Sequence, residues 1–190
     1  MAERVPAEPQ PRTQAVAATS RTQLVRARTI VIGLGNPLLG DDGVGWRVAD
    51  EVESRLRVAR DAGRAIPDVV IERLGVGGLR LMECLTGYDA AILVDAAEFP
   101  DRPIGEVRAC PFEDLADFAA GHLDSAHDAS LRTALALGRR LGAELPGSIH
   151  AVTVQAHRTD EFSEQLSPEV SAAVPAAAAA VVELLAAGTR

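Results

Sequence analysis

Apolar and polar positions along this chain fall into short blocks whose periods predict strands and helices in turn. "TIVIGLG" (29–35) is an apolar run closed by glycines and predicts a short buried strand. In "DGVGWRVADEVESRLR" (42–57), Val44, Val48, Val52 and Leu56 recur every four residues, the spacing of one helix face. "DVVIERL" (68–74) predicts a second strand, "GGLRLMECL" (77–85) a short helix, and "DAAILVDA" (89–96) a third strand whose apolar run ends at Asp95. "GEVRACP" (105–111) is bracketed by Pro103 and Pro111 and predicts an edge strand, because proline cannot donate to a ladder. "HDASLRTALALGRRLG" (127–142) predicts a helix with Leu131, Leu135 and Leu141 on or near one face. "SIHAVTVQA" (148–156) follows as a last strand. "SPEVSAAVPAAAAAVVELLAAG" (167–188) closes the chain as a helix with Ser167 as N-cap and Pro168 in its first position. Asp41 is expected to cap the first helix, with Asp42 in the first turn, where a carboxylate favours the helix dipole.

Strands that alternate with helices argue for a three-layer α/β/α sandwich around a mostly parallel, twisted sheet of about five strands. No internal repeat or second domain is evident, and 190 residues suffice for one domain with its own core. The expected organisation is a disordered tail over 1–28, rich in Pro, Gln, Thr and Ser, and a single α/β domain over 29–190. Hydrophobic residues make up 47% of the chain but aromatics only 3%, so the core must be built from aliphatic side chains.

Charge narrows the partners. The net charge is −8 and every basic residue is arginine, with no basic run, so neither nucleic acid nor an anionic membrane is expected as a partner. Cys84 and Cys110 form no CxxC pattern, which predicts reduced cysteines and a cytoplasmic setting. The tail lacks the apolar region of a secretory signal. The Ala-rich closing segment contains Pro175 and Glu183 and is expected to be a surface helix rather than a membrane span.

In parallel sheets ligands gather at the carboxyl edge, where each strand turns into its helix. Asp42, Asp95 and His127 each fall just past a predicted strand or at a helix start on that edge. Two carboxylates and an imidazole can hold a transition metal with positions left open, or serve as acid, base and orienter in a metal-free hydrolase. Each has an ordinary reading too: Asp42 as a first-turn helix carboxylate, Asp95 as a turn former, His127 as a solvated loop residue. His122 could be a second imidazole nearby, though it reads more simply as a surface-loop residue. His150 and His157 read as structural or exposed, with His157 the better neighbour of the site. Cys84 reads as a core residue and Cys110 as a filler of the edge strand.

The glycines of "GLGNPLLGDDGVG" (33–45) raise the question of a phosphate cradle. A dinucleotide fingerprint requires GxGxxG, but here the third glycine comes two positions late and Pro37 interrupts the turn. Asp41 and Asp42 would oppose any anion at that helix start. GxxxxGK[ST] fails for want of lysine, and no serine stands in a GxSxG elbow.

Taken in order, "VIGLGNPLLGDDGVGWRVADEV", "LGVGGLRLMECL", "AAILVDA" and "SAHDASL" resemble the hydrogenase maturation proteases, from about Thr29 to the final helix. The resemblance implies an endopeptidase that removes a C-terminal peptide from the large-subunit precursor of a nickel–iron hydrogenase, acting as a monomer. It also implies that Asp42, Asp95 and His127 are the catalytic, nickel-contacting residues. The nickel would be supplied by the substrate rather than held as a cofactor, and its ligation would weaken as His127 protonates. Where many members carry an Asp before the second glycine turn, this chain has Arg73. A non-catalytic assembly module for the same partner would use the same three ligands. Peptidyl-tRNA hydrolases share "GLGNP", but their basic RNA face has no counterpart here.

Overall fold

A computed structural model of the chain describes residues 28–115 and 131–188. Strands β1 (Thr29–Leu34), β2 (Val69–Leu74), β3 (Ala90–Ala97), β4 (Val107–Pro111) and β5 (Ser148–Gln155) form one sheet in the order β2-β1-β3-β5-β4. All pairings are parallel except β4 with β5, which is antiparallel and lies at the edge. Helices α1 (Val44–Asp61), α2 (Gly78–Leu85), α3 (Leu131–Arg140) and α4 (Pro168–Ala187) complete the three layers. The expected strands are all present, each within about two residues of its bounds.

Alternation along the strands divides the core in two. Val31, Ile92, Val94, Val152 and Val154 meet Val44, Val48 and Val52 of α1 and Val170, Ala177 and Val181 of α4. On the opposite face Ile30, Ile32, Leu34, Leu93 and Ile149 meet Leu81 and Leu85 of α2 and Leu131 and Leu135 of α3. Each such aliphatic side chain contributes about 1.5–3 kcal/mol by leaving water, which is why the sheet is covered on both faces.

Two details differ from the sequence reading. A 3-10 turn over Gly40–Gly43 precedes α1, whose N-cap is Gly43, so Asp41 does not cap this helix. Leu141 lies past the end of α3 and is 77% exposed, leaving Leu131 and Leu135 to carry that face. α4 is long and apolar enough to cross a membrane by length and composition alone. Its Val170, Ala173, Ala177, Ala178, Val181 and Leu185 are nevertheless buried in the protein core.

α1 sits unusually close to the sheet because two glycines meet. A Cβ on Gly45 would lie 2.2 Å from the Leu34 carbonyl oxygen and 2.5 Å from that of Val94. One on Gly33 would lie 2.3 Å from the Gly45 carbonyl oxygen. The first turn of α1 therefore rests directly on the backbone of β1 and β3. Gly45→Ala should lower the unfolding free energy by about 2–3 kcal/mol, the scale of an overpacked core, and the melting temperature by roughly 5–10 °C. Gly147→Ala, where the nearest atom would be 3.9 Å away, should change it by less than about 0.5 kcal/mol. Thermal melts of the two variants decide this.

Candidate functional site

The order β2-β1-β3 means that the chain leaves β1 to one side and returns to pair with its other side. A crevice opens at the carboxyl ends of neighbouring strands where the order reverses in this way. Asp42 follows β1, and Asp95 lies one residue beyond Val94, whose pairing with Gly33 is the last between β1 and β3. The 3-10 turn carrying Asp42 packs against β3, and both aspartates are buried. Asp95 belongs to the face of β3 that Leu93 shares with α2 and α3, and its register partner on β5 is the buried Thr153. Asp42 is oriented locally: its Oδ2 accepts a 2.6 Å hydrogen bond from the Asn36 amide. Gly35, at φ +118°, makes the sharp turn that this needs, and a Cβ there would collide with the Asp42 carbonyl oxygen.

His127, the third expected member, and His122 lie outside the described residues. Among the described residues no three His, Cys, Asp or Glu side chains gather as a metal site. Of the expected donors the structure therefore brings two carboxylates to one crevice. Carboxylate oxygens of this kind suit a divalent cation that retains other ligands of its own.

The adjacent aspartate has a different task, one missed in the sequence. Asp41 is fully buried; its Oδ1 accepts from the Ser167 amide at 2.6 Å and its Oδ2 from the Ser167 hydroxyl at 3.0 Å. It thereby satisfies the first turn of α4, where a carboxylate also complements the helix dipole. Ser167 is the N-cap by position, but its hydroxyl serves Asp41 instead of its own helix. The backbone joins in: Gly40 N–H donates to the Ser163 carbonyl, Asp41 N–H to that of Arg158, and Ser163 N–H to that of Leu38. His157 stands at the margin of this anchor, half-exposed, with Nδ1 3.7 Å from Asp41 Oδ2. His150 lies earlier on β5, its Nδ1 3.4 Å from the Ser148 hydroxyl.

Other candidates resolve into structure. Arg73 reaches from the end of β2 to α1, with guanidinium nitrogens 2.6 Å from both Asp50 and Glu53. Burial opposes its charge, but hydrogen bonds to Glu53 and Asp50 outweigh that and hold its pKa above the ordinary value. Cys84 and Cys110 are free thiols partly buried beside the core, and burial pushes the Cys110 thiol up. A groove of about 610 Å³ between α1 and α4, lined by Arg47, Asp50, Leu166, Val174 and Pro175, contains none of the candidate residues.

Comparison with known proteins gives a consistent result. Residues 46–184 match the family model described as hydrogenase maturation protease, a match that begins just after the Asp42 loop. The hydrogenase maturating endopeptidase HybD from E. coli is 26% identical and superposes with a TM-score of 0.66 over 85% of this chain and 93% of its own. The NiFe hydrogenase maturation protease HybD from Thermococcus kodakarensis is likewise 26% identical, with a TM-score of 0.57 over 83% of this chain and 99% of its own. The hydrogenase expression/formation protein HoxM of Azotobacter vinelandii is 27% identical over 160 residues, 83% of this chain and 72% of its own.

The roles of the paired aspartates separate experimentally. Asp41→Ala leaves the Ser167 amide and hydroxyl without their buried acceptor and should cost about 2–3 kcal/mol. Ser167→Ala removes one donor and should cost about 1 kcal/mol. Urea unfolding of both variants measures the difference; equal, negligible losses would remove Asp41 as the anchor of α4.

Proposed function

This chain belongs to the hydrogenase maturation protease family, and from that premise we propose that it is the endopeptidase that trims a C-terminal peptide from the nickel-loaded large-subunit precursor of a nickel–iron hydrogenase. That it is a maturation endopeptidase follows from its relatives; the precursor, the position of the cut and the role of nickel are our reading. The supporting observation is the burial of Asp42 and Asp95 at the crevice between β1 and β3, with each aspartate supplied by a different strand end.

In this reading Asp42, Asp95 and His127 complete the coordination of a nickel ion that arrives in the substrate. Carboxylate and neutral imidazole are suitable donors for Ni(II). The protein's part is selection and positioning. Only a precursor that already carries its metal gains these contacts, so the peptide bond beside that metal is presented to the crevice after loading and not before. Asp42 enters with a fixed backbone, because Gly35, Asn36 and the Asp41 anchor leave its loop little freedom. Pre-organisation of that sort lowers the ordering cost of taking a share of another protein's metal.

The decisive assay mixes purified chain with nickel-loaded or nickel-free large-subunit precursor and follows release of the C-terminal peptide by mass spectrometry. Release should occur from the loaded precursor alone. Asp42→Ala, Asp95→Ala and His127→Ala should each slow it by more than about a hundredfold, since loss of an outer-shell partner alone costs about 10–100-fold. Equal cleavage of nickel-free precursor, or undiminished cleavage by His127→Ala, would overturn the nickel-reading mechanism.

A further inference from the structure

Four exposed apolar side chains crowd the same edge as Asp42 and Asp95. Leu38 follows β1, Val76 lies in the turn from β2 into α2, Leu79 in the first turn of α2, and Phe162 between β5 and α4; they are 43%, 39%, 47% and 84% exposed. Single exposed hydrophobes need no explanation, but clustering does. The other large exposed ones among the described residues, Val58, Leu137 and Leu141, are scattered on α1 and at the end of α3.

The three segments are physically joined. Leu39 pairs with Ser163 and the Ser163 amide donates to the Leu38 carbonyl at 2.9 Å, which puts Phe162 beside Leu38. A Cβ on Gly75 would lie 3.5 Å from the Gly35 carbonyl oxygen, so the turn bearing Val76 abuts the loop bearing Leu38. The loop that carries Phe162 is also braced by contacts among its neighbours. Arg158 and Glu161 pair at 2.7 Å, and the Ser163 hydroxyl both donates to the Gln165 carbonyl and accepts from the Gln165 amide. In a chain with only four phenylalanines, one is thus kept out of the core on a braced loop. Beside it Arg158 and Glu161 are paired with each other, while Asp160 and Glu164 add acidic charge to the border of the apolar surface.

We propose that Leu38, Val76, Leu79 and Phe162 form a rim that grips an apolar stretch of the protein substrate next to the scissile bond. The proposal rests on the endopeptidase reading above. An endopeptidase must seat a length of polypeptide across its catalytic edge, and this rim begins four residues before Asp42. Rigid aromatic and aliphatic anchors are what such contacts use, because little side-chain freedom is lost when they are covered.

Titrating nickel-loaded large-subunit precursor into the chain gives a dissociation constant independent of turnover. Phe162→Ser should weaken binding about tenfold or more, and Leu38→Ser and Leu79→Ser several-fold each, as expected for removing a buried apolar contact. Val58→Ser and Leu141→Ser, exposed apolar sites away from the edge, should bind as the unchanged chain does. A Phe162→Ser/Leu38→Ser double variant with undiminished affinity would overturn the rim, as would equal weakening by Val58→Ser. So would a dimer of this chain that Phe162→Ser dissolves, since the rim would then serve self-association. Cleavage with a Phe162-independent dissociation constant defeats the rim alone. Phe162-dependent binding without cleavage defeats the processing reading and leaves the rim standing.

Discussion

Everything at the carboxyl edge of the sheet depends on how closely α1 approaches it. Gly45 rests against the carbonyl oxygens of Leu34 and Val94, and Gly33 lies beneath the Gly45 carbonyl; no side chain fits between these backbones. The approach brings the start of α1 down onto the ends of β1 and β3 at the point where strand order reverses. A residue just ahead of that helix has no choice but to lie beside the end of β3. Asp42 is that residue, which is why two aspartates more than fifty positions apart share one crevice.

A turn this tight leaves few backbone partners inside itself, and the molecule supplies them from elsewhere. The loop between β5 and α4 binds the Leu38–Asp41 backbone, and Asp41 gives its carboxylate to the first turn of α4. The same contact thus tethers the loop that carries Asp42 and satisfies a helix terminus that would otherwise lack a partner. Arg73 acts similarly on the other side, joining β2 to α1 through Asp50 and Glu53. Its place at a strand end invites a substrate role, yet its guanidinium is already engaged in fastening the layers.

The loops so braced then present Leu38 and Phe162 outward. Rigidity and apolar exposure meet at the edge proposed above to receive the polypeptide, which in that reading unites the anchoring of the loop with recognition of a protein substrate. The 610 Å³ groove between α1 and α4 carries none of the candidate residues; shape alone does not locate function in this molecule.

Local periodicity determined the elements by itself. Val44, Val48, Val52 and Leu56 specify a helix face, the "AAILV" run specifies a buried strand, and Pro103 and Pro111 mark the edge strand, because hydrophobic spacing and proline's missing donor act within a few residues. The motif in 33–45 and the strand-end position of Asp95 likewise made both carboxylates legible as candidate site residues, both of which the fold buries. What the sequence could not reveal is anything set by distant partners. Asp41 looks like the cap of the helix beside it, yet its carboxylate serves Ser167, 126 residues away. Leu141 continues an apolar pattern yet ends outside the core, and Phe162 gives no local sign that it will be held in solvent beside Leu38. Two neighbouring aspartates with identical chemistry took different roles because only the packed fold decides which carboxylate meets a helix end and which meets the crevice.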